Sequence, residues 1–165
     1  MNNHHVLLPL LLAIALIGCG GSDGKPKPPK MNTAPVATAA SFTTQADTEL
    51  SDMLEGMDAD RDSLTFAAVE QPSQGTLTLT ATGSFTYLPN ATVTGMDQFT
   101  FTVSDGKATS MTATVNITID ALQVSFNDYS RAAFEQSATD EPLPVNGREF
   151  EQDVTEPTAY DDLLE

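Results

Sequence analysis

The chain has 165 residues, of which 7 are basic and 23 are acidic, and its formal net charge at pH 7 is −16. Phosphate backbones repel such a polyanion, which excludes nucleic acid as a predicted partner. The single cysteine excludes an internal disulfide, so a chain of this length is expected to fold as one domain on its hydrophobic core alone.

The N-terminal segment carries an apolar run that ends beside the single cysteine. The run covers 12 residues from Val6 to Ile17, and Gly18 and Cys19 follow it. A helix needs about 20 residues to cross a bilayer, so the run fits a signal peptide at residues 1–18, with a buried core helix as the alternative. The closing residues resemble the lipobox of a bacterial lipoprotein. This resemblance implies cleavage before Cys19, lipidation of its thiol and attachment to a membrane outside the cytoplasm.

Residues 19–31 are predicted to be a flexible tether. The stretch from Gly20 to Lys30 reads GGSDGKPKPPK, a glycine, proline and lysine composition that cannot form a core. Its lysines either attract an anionic membrane surface or keep the segment solvated. Gly20, rather than Asp, follows the cysteine, and by resemblance to lipoprotein sorting rules this favours the outer membrane.

Residues 32–121 alternate apolar and Thr-rich positions, as expected for strands that bury one face. The longest alternating run extends from Met111 to Ile119 and reads MTATVNITI. Strands are predicted near residues 35–43, 47–54, 63–70, 75–81, 84–88, 97–104 and 108–120. About seven short strands with turn residues between them predict an all-β, antiparallel Ig-like sandwich. Its predicted core consists of Leu64, Phe66, Leu77, Leu79, Phe85, Tyr87, Phe99, Phe101, Val103, Val115, Ile117 and Ile119.

Residues 122–165 differ in character, with 11 acidic and 2 basic side chains. Short helices are predicted at Asp128–Gln136 and Thr155–Glu165. The composition is marginal for independent folding, so the segment is either a disordered acidic tail or a set of elements that dock on the sandwich or on a partner. The side chains predicted to bind such a partner are Phe150, Tyr160, Leu163 and Leu164.

Five short stretches carry motifs in a fixed order. They are Asn32–Ala37 (NTAPVA), Asp58–Thr65 (DADRDSLT), Pro72–Leu77 (PSQGTL), Gly83–Pro89 (GSFTYLP) and Gly95–Gly106 (GMDQFTFTVSDG). In this register they resemble the cadherin-like, Ig-like repeats of large bacterial surface adhesins. The resemblance implies a non-enzymatic module used in adhesion or as a spacer, and the sequence holds a single copy of it.

The second motif contains a candidate metal site. Asp58, Asp60 and Asp62 bring three carboxylates into one loop, and Ca²⁺ takes about six to eight oxygen ligands. An EF-hand is excluded because Ser63 and Val69 stand where Gly and Glu are required. The resemblance to cadherins implies that the loop meets the N-terminal linker, which offers Asn32, but Arg61 replaces the usual Gly. The loop is therefore either a weak Ca²⁺ site or a solvated acidic turn.

Catalysis is not expected. Both histidines, His4 and His5, lie in the segment predicted to be removed, and the one thiol is predicted to carry lipid. No nucleophile elbow, HExxH zinc motif or phosphate loop is present. The sequence predicts a lipid-anchored envelope protein whose Ig-like module serves adhesion, structure or protein interaction, with an envelope protein or a carbohydrate as ligand. The alternatives are an accessory lipoprotein that binds an envelope partner through its acidic tail and a Ca²⁺-responsive module.

Overall fold

The structure, a computed structural model, describes residues 29–156 and 158–161. The chain divides into two units, residues 1–31 and 32–165. Of the first unit, residues 29–31 are described, and they are exposed and have no regular secondary structure. The predicted signal peptide and Cys19 lie outside the described residues. The described part of the chain contains no helix with the length and apolarity needed to cross a bilayer.

The larger sheet of the sandwich has four strands in the order β2-β9-β8-β5. Its centre is the antiparallel pair β8 (Gly95–Ser104) and β9 (Ala113–Asp120), in which Phe99 lies opposite Val115. Strand β5 (Thr65–Glu70) pairs antiparallel with β8. Strand β2 (Ala40–Gln45) pairs with β9 in the parallel direction, so the predicted antiparallel sandwich has one parallel pair at this edge.

The second sheet has three antiparallel strands in the order β3-β7-β6. They are β3 (Leu50–Met53), β7 (Ser84–Pro89) and β6 (Gly75–Leu79). A separate two-stranded pair joins β1 (Val36–Ala37) to β4 (Gly56–Met57). The predicted Ig-like, all-β sandwich is therefore confirmed.

The core lies between the two sheets and is built by alternation along the strands. Strand β9 buries every second residue, and Val115 and Ile117 are 0% exposed. The rings of Phe85 and Phe99 meet across the sheets with centroids 5.6 Å apart. Most of the predicted core residues are buried, while four of them pack at its margin and are only partly buried: Leu64, Phe66, Leu77 and Leu79. The sequence prediction omitted Leu54, which is 3% exposed.

Three predicted strand boundaries are wrong. The strand predicted at 35–43 is interrupted between β1 and β2, and the one predicted at 47–54 begins only at Leu50 because Asp47 adopts a left-handed turn conformation with φ +58°. The last predicted strand begins at Ala113, which leaves Met111 outside the core with 89% exposure. The short strand β4 was not predicted, because two residues are too few to show alternation.

The described residues of the C-terminal segment (122–156 and 158–161, here the C-terminal extension) are folded. Strand β10 (Leu122–Ser125) leads directly into helix α1 (Phe126–Phe134), and β11 (Arg148–Glu151) pairs with β10 in the parallel direction. The Ser125 hydroxyl accepts a hydrogen bond from the Asp128 N–H and so caps the helix. The helix predicted at Asp128–Gln136 is thus present, but it begins and ends two residues earlier than predicted. Where the second helix was predicted, residues 158–160 form turns and Asp161 has a 3₁₀-helical conformation, while residues 157 and 162–165 lie outside the described residues.

Candidate functional site

The acidic loop at Asp58–Asp62 folds on its own first carboxylate. Asp58 Oδ1 accepts hydrogen bonds from the N–H groups of Asp60 (2.8 Å) and Asp62 (3.1 Å). Arg61 sits at φ +64°, in the left-handed region that favours glycine, as expected for the residue that replaces the usual Gly. The loop conformation is therefore set by its own backbone donors.

Two other segments meet this loop. The Thr33 N–H donates to Asp60 Oδ2 (2.7 Å), and Asn32 Nδ2 donates to Asp105 Oδ2 (2.7 Å). Lys107 Nζ lies 2.5 Å from Asp62 Oδ2 and 3.4 Å from Asn32 Oδ1. We call this group the acidic loop cluster; it consists of Asn32, Asp58, Asp60, Asp62, Asp105 and Lys107.

The structure therefore brings together the predicted ligands Asn32, Asp58, Asp60 and Asp62, and it adds two residues that the sequence reasoning missed. Asp105 and Lys107 belong to the turn after β8; the sequence analysis included Asp105 only within the fifth motif and did not single out Lys107. Their separation from Asp62 by more than 40 residues left no local pattern to reveal them. The available signal was a lysine two residues after an aspartate, in the turn between β8 and β9.

Charge and hydrogen bonding shift the pKa values of two residues of the cluster, Asp105 and Lys107. The Asn32 side-chain amide, followed by the N–H groups of Ala108 and Lys107, holds the pKa of Asp105 below its ordinary value. The Asp62 carboxylate, which accepts a hydrogen bond from Lys107 and attracts it, raises the pKa of Lys107. Both groups are therefore charged over the physiological range, and the partly exposed Lys107 ammonium lies beside the carboxylates.

The cluster does not fit a calcium ion as it stands. Among the described residues, no three acidic, histidine or cysteine side chains converge as metal ligands. Asp60 Oδ2 and Asp58 Oδ1 already accept backbone N–H groups, and Asp62 and Asn32 face Lys107. Asp58 Oδ2 is the atom that would suit a cation, because it is buried without a hydrogen-bond partner. Calcium binding stays a prediction, and it requires Lys107 to move.

A second carboxylate, Asp97, joins the two sheets from inside and was not singled out by the sequence analysis. It is 6% exposed and accepts hydrogen bonds from Tyr87 Oη (2.8 Å), Ser73 N (3.0 Å) and Gln74 N (2.9 Å). Burial alone would raise the pKa of Asp97, but these donors outweigh it and the pKa is lowered. Burial and the Asp97 carboxylate raise the pKa of Tyr87. Asp97 therefore stabilises the fold as an ionised hydrogen-bond acceptor.

The C-terminal extension is attached to the sandwich beside the turn at Asp47. Arg148 Nη1 lies 2.6 Å from Asp47 Oδ2, and Asp47 Oδ1 accepts the N–H of Thr92 (2.9 Å). The Thr92 N–H and then the Arg148 guanidinium hold the pKa of Asp47 below its ordinary value. Gly147, at φ +70°, lies so close that a Cβ there would come within 2.5 Å of the Thr92 carbonyl oxygen. An ion pair and a close backbone approach thus fix the extension.

Aromatic rings hold the extension together internally. The Phe150 ring on β11 lies 4.8 Å from the Tyr129 ring and 6.3 Å from the Phe126 ring, measured between centroids. Arg131 lies over the Tyr160 ring and donates to the Ala159 carbonyl (2.6 Å). Phe150 and Tyr160, which were predicted to bind a partner, are half-buried in these contacts. The other two predicted residues, Leu163 and Leu164, lie outside the described residues.

The exposed apolar surface of the extension is formed by one side of α1 instead. Phe134 is 63% exposed and Phe126 is 37% exposed. The side chains that line this shallow apolar groove, here called the α1 face, are Phe126, Tyr129, Ser130, Ala133 and Phe134. The helix predicted at Asp128–Gln136 includes four of these five residues, but the sequence did not show that this side of the helix is exposed.

The fold and the cluster together define an Ig-like β-sandwich with cadherin-like motifs. A family model described as a bacterial Ig domain matches residues 32–118, which is more than half of the 165 residues, and the chain belongs to this family. The predicted Ig-like repeat is therefore confirmed. A comparison with curated proteins finds no match.

Several solved structures resemble the chain. An endo-fucoidan hydrolase of glycoside hydrolase family 107 aligns at 26% identity with a TM-score of 0.42, over 53% of this chain and 14% of the hydrolase. Human protocadherin-24 EC1-2 aligns at 18% identity with a TM-score of 0.43, over 58% of this chain and 52% of that one. The PKD domain of human KIAA0319 aligns at 21% identity with a TM-score of 0.36, over 62% of this chain and 91% of the PKD domain. The matching region thus spans a small part of the hydrolase's length.

Proposed function

We propose that this protein is a non-enzymatic interaction module of the bacterial cell envelope, held at a membrane by lipid on Cys19. The sandwich serves as a rigid base, and the C-terminal extension presents the binding surface. The observation that carries this proposal is the α1 face, an apolar helix side that stays exposed on an extension fixed to the sandwich.

The exposure of the α1 face supports a binding role. Phe is among the residues most often buried, yet Phe134 is 63% exposed at the end of α1. Contiguous apolar surface of this kind marks interaction sites more often than scattered single residues do. The Phe150 ring packs against Phe126 and Tyr129 from within the extension, which leaves the Phe134 end of the α1 face open to a partner.

Charge indicates the chemistry of the partner. Residues 122–165 contain 11 acidic and 2 basic side chains, so anionic lipid surfaces and other acidic proteins are repelled. A complementary partner has a basic segment with an apolar side, which the α1 face can bind while the surrounding carboxylates attract its cations. We therefore propose a basic segment of an envelope protein as the ligand.

Membrane attachment has its own test, mass spectrometry of the protein isolated from its native cells. The proposal expects an N-terminus at Cys19 that carries acyl chains, and a Cys19→Ser variant that keeps residues 1–18. An unprocessed N-terminal methionine with an unmodified thiol would contradict the anchor while leaving the α1 face open to test.

Site-specific photo-crosslinking in native cells tests the binding surface. A photoreactive residue at Ala133 samples the α1 face, and the same residue at Met111, which is 89% exposed on the sandwich, is the matched control. We expect adducts to a defined envelope protein from position 133 that weaken in Phe134→Ser and at high salt. Adducts that arise only from position 111, or that ignore Phe134→Ser, would contradict the α1 face and indicate binding by the sandwich.

A further inference from the structure

Three segments far apart in sequence converge at the acidic loop cluster, and one ammonium group connects them. Lys107, in the turn after β8, lies with its Nζ 2.5 Å from Asp62 Oδ2 in the acidic loop. The same Nζ lies 3.4 Å from Oδ1 of Asn32, in the segment that leads into β1. Asn32 returns a hydrogen bond to Asp105, two residues before Lys107. Polar contacts thus connect three segments in a closed ring: the turn after β8, the segment that leads into β1, and the acidic loop.

We infer that Lys107 supplies from within the chain the positive charge that a divalent cation would otherwise bring to this end of the sandwich. The domain is therefore held together here without calcium. This inference is independent of the proposed binding function, because it concerns the acidic loop cluster of the sandwich and involves no residue of the α1 face.

The donor set supports an ammonium rather than a metal ion. Ca²⁺ needs about six to eight oxygen atoms within about 2.6 Å. Here Asp62 Oδ2 and Asn32 Oδ1 face the Lys107 ammonium instead, and Asp58 Oδ1 and Asp60 Oδ2 accept backbone N–H groups. A divalent cation beside the Asp62 carboxylate would also meet the like charge of Lys107 at hydrogen-bond distance, so it could enter only by displacing the lysine.

Electrostatic balance explains what the lysine does. The hydrogen bond to Asp62 and the attraction of Asp62, followed by the weaker attraction of Asp105 and Asp60, raise the pKa of Lys107. Without that ammonium Asp62 Oδ2 would lose its hydrogen-bond donor, and the buried Asp58 Oδ2 would still have no hydrogen-bond partner. A variant that lacks the charge should therefore be less stable in chelator and should acquire an affinity for divalent cations.

Thermal melts of the purified protein in EDTA and in 5 mM CaCl₂ test the inference. For the wild type and for the charge-conserving Lys107→Arg variant, we expect the two Tm values to agree within about 1 °C. For Lys107→Met we expect a Tm about 2–4 °C lower in EDTA, with most of the loss recovered in calcium. A wild-type Tm that rises by several degrees with calcium would overturn the inference, and so would a Lys107→Met variant that matches the wild type in EDTA.

A double variant tests whether the recovery of Tm in calcium depends on this cluster. Lys107→Met combined with Asp62→Asn removes the carboxylate that Lys107 contacts, and it should lose the calcium response. If the double variant still recovers in calcium, the ion binds elsewhere and the inference fails. It fails equally if the single variant is destabilised but gains no calcium response, because the ammonium would then not stand in the place of a cation.

Discussion

The sandwich and the C-terminal extension are stabilised in different ways. In the sandwich, Tyr87, Phe99 and Phe101 are 0% exposed, so burial of apolar surface provides most of the stability. In the extension no described residue is buried, and its strands and helix are joined by ring contacts, hydrogen bonds and the ion pair with Asp47. We therefore expect the extension to depend on the sandwich for its order, and the sandwich to fold without the extension.

The largest effect is expected for Phe101→Ala, which removes a fully buried ring from β8. The lost apolar contacts and the remaining cavity should lower the free energy of unfolding by about 3–5 kcal/mol, measured by urea denaturation. Phe134→Ala, the matched change in the extension, should alter it by less than about 0.5 kcal/mol. A loss below about 1 kcal/mol for Phe101→Ala would contradict both its burial and the register of β8 with β9.

The next largest effect concerns the buried carboxylate. Asp97→Asn removes the charge that accepts the hydrogen bonds of Tyr87, Ser73 and Gln74, and should cost about 2–3 kcal/mol at pH 7. Tyr87→Phe, which removes a single donor, should cost less.

The pH dependence of the free energy of unfolding tests the same role of Asp97. Because the folded-state pKa of Asp97 lies below its ordinary value of about 3.9, its ionised form stabilises the fold above that pH, and the stabilisation is lost as the pH falls through the folded pKa. Urea denaturation at several pH values should show a constant difference between wild type and Asp97→Asn from pH 7 to about 5. The difference should shrink below about pH 4. A difference that stays constant down to pH 3 would contradict the lowered pKa.

Much of the sandwich could be predicted from sequence because each strand that packs on the core shows its own alternation. The burial pattern of Ala113–Asp120 follows its apolar and polar residues one by one. The parallel pairing of β2 with β9 could not be predicted, since alternation marks which face is buried and does not record strand direction. Similarly, Asp58, Asp60 and Asp62 were found by local spacing, whereas Lys107 joins them only through the fold.

The extension was harder to predict because its contacts connect short, distant segments. Strands β10 and β11 have four residues each, and they pair across the whole of α1 and the following loop. Helix α1 was predicted from its local pattern, but the choice between a disordered tail and a docked element depended on Asp47 and Thr92, which belong to the sandwich. No pattern within residues 122–165 carries that information.

A smaller effect is expected for Gly147→Ala, which tests the attachment directly. The added Cβ would meet the Thr92 carbonyl at 2.5 Å and would also be strained at φ +70°, so we expect a loss of about 1–3 kcal/mol and detachment of the extension. Gly106→Ala is the control, because it shares a positive φ of +84° but has no atom within 4 Å of the new Cβ. Hydrogen exchange should show lost protection in 122–125 and 148–151 for Gly147→Ala alone. Retained protection would contradict the close approach.

The smallest effect concerns the ion pair between Arg148 and Asp47. Arg148→Met should cost about 0.5–1 kcal/mol, since the pair lies near the surface, with side chains 13% and 29% exposed. A double-mutant cycle with Asp47→Asn, measured by urea denaturation, isolates the interaction from the Thr92 N–H bond that Asp47 also accepts. Additive effects of the two changes would show that the pair does not hold the extension.

Native-state hydrogen exchange on the full chain tests whether the extension is folded onto the sandwich. It is read at the amides of β10 and β11, including Leu122, whose N–H donates to the Gly147 carbonyl. We expect these amides to exchange more slowly than in an unstructured peptide of the same sequence, and faster than the amides at the centre of β8 and β9. Exchange at the rate of the unstructured peptide would mean that residues after 121 are a loose tail, and the α1 face would then have no rigid base.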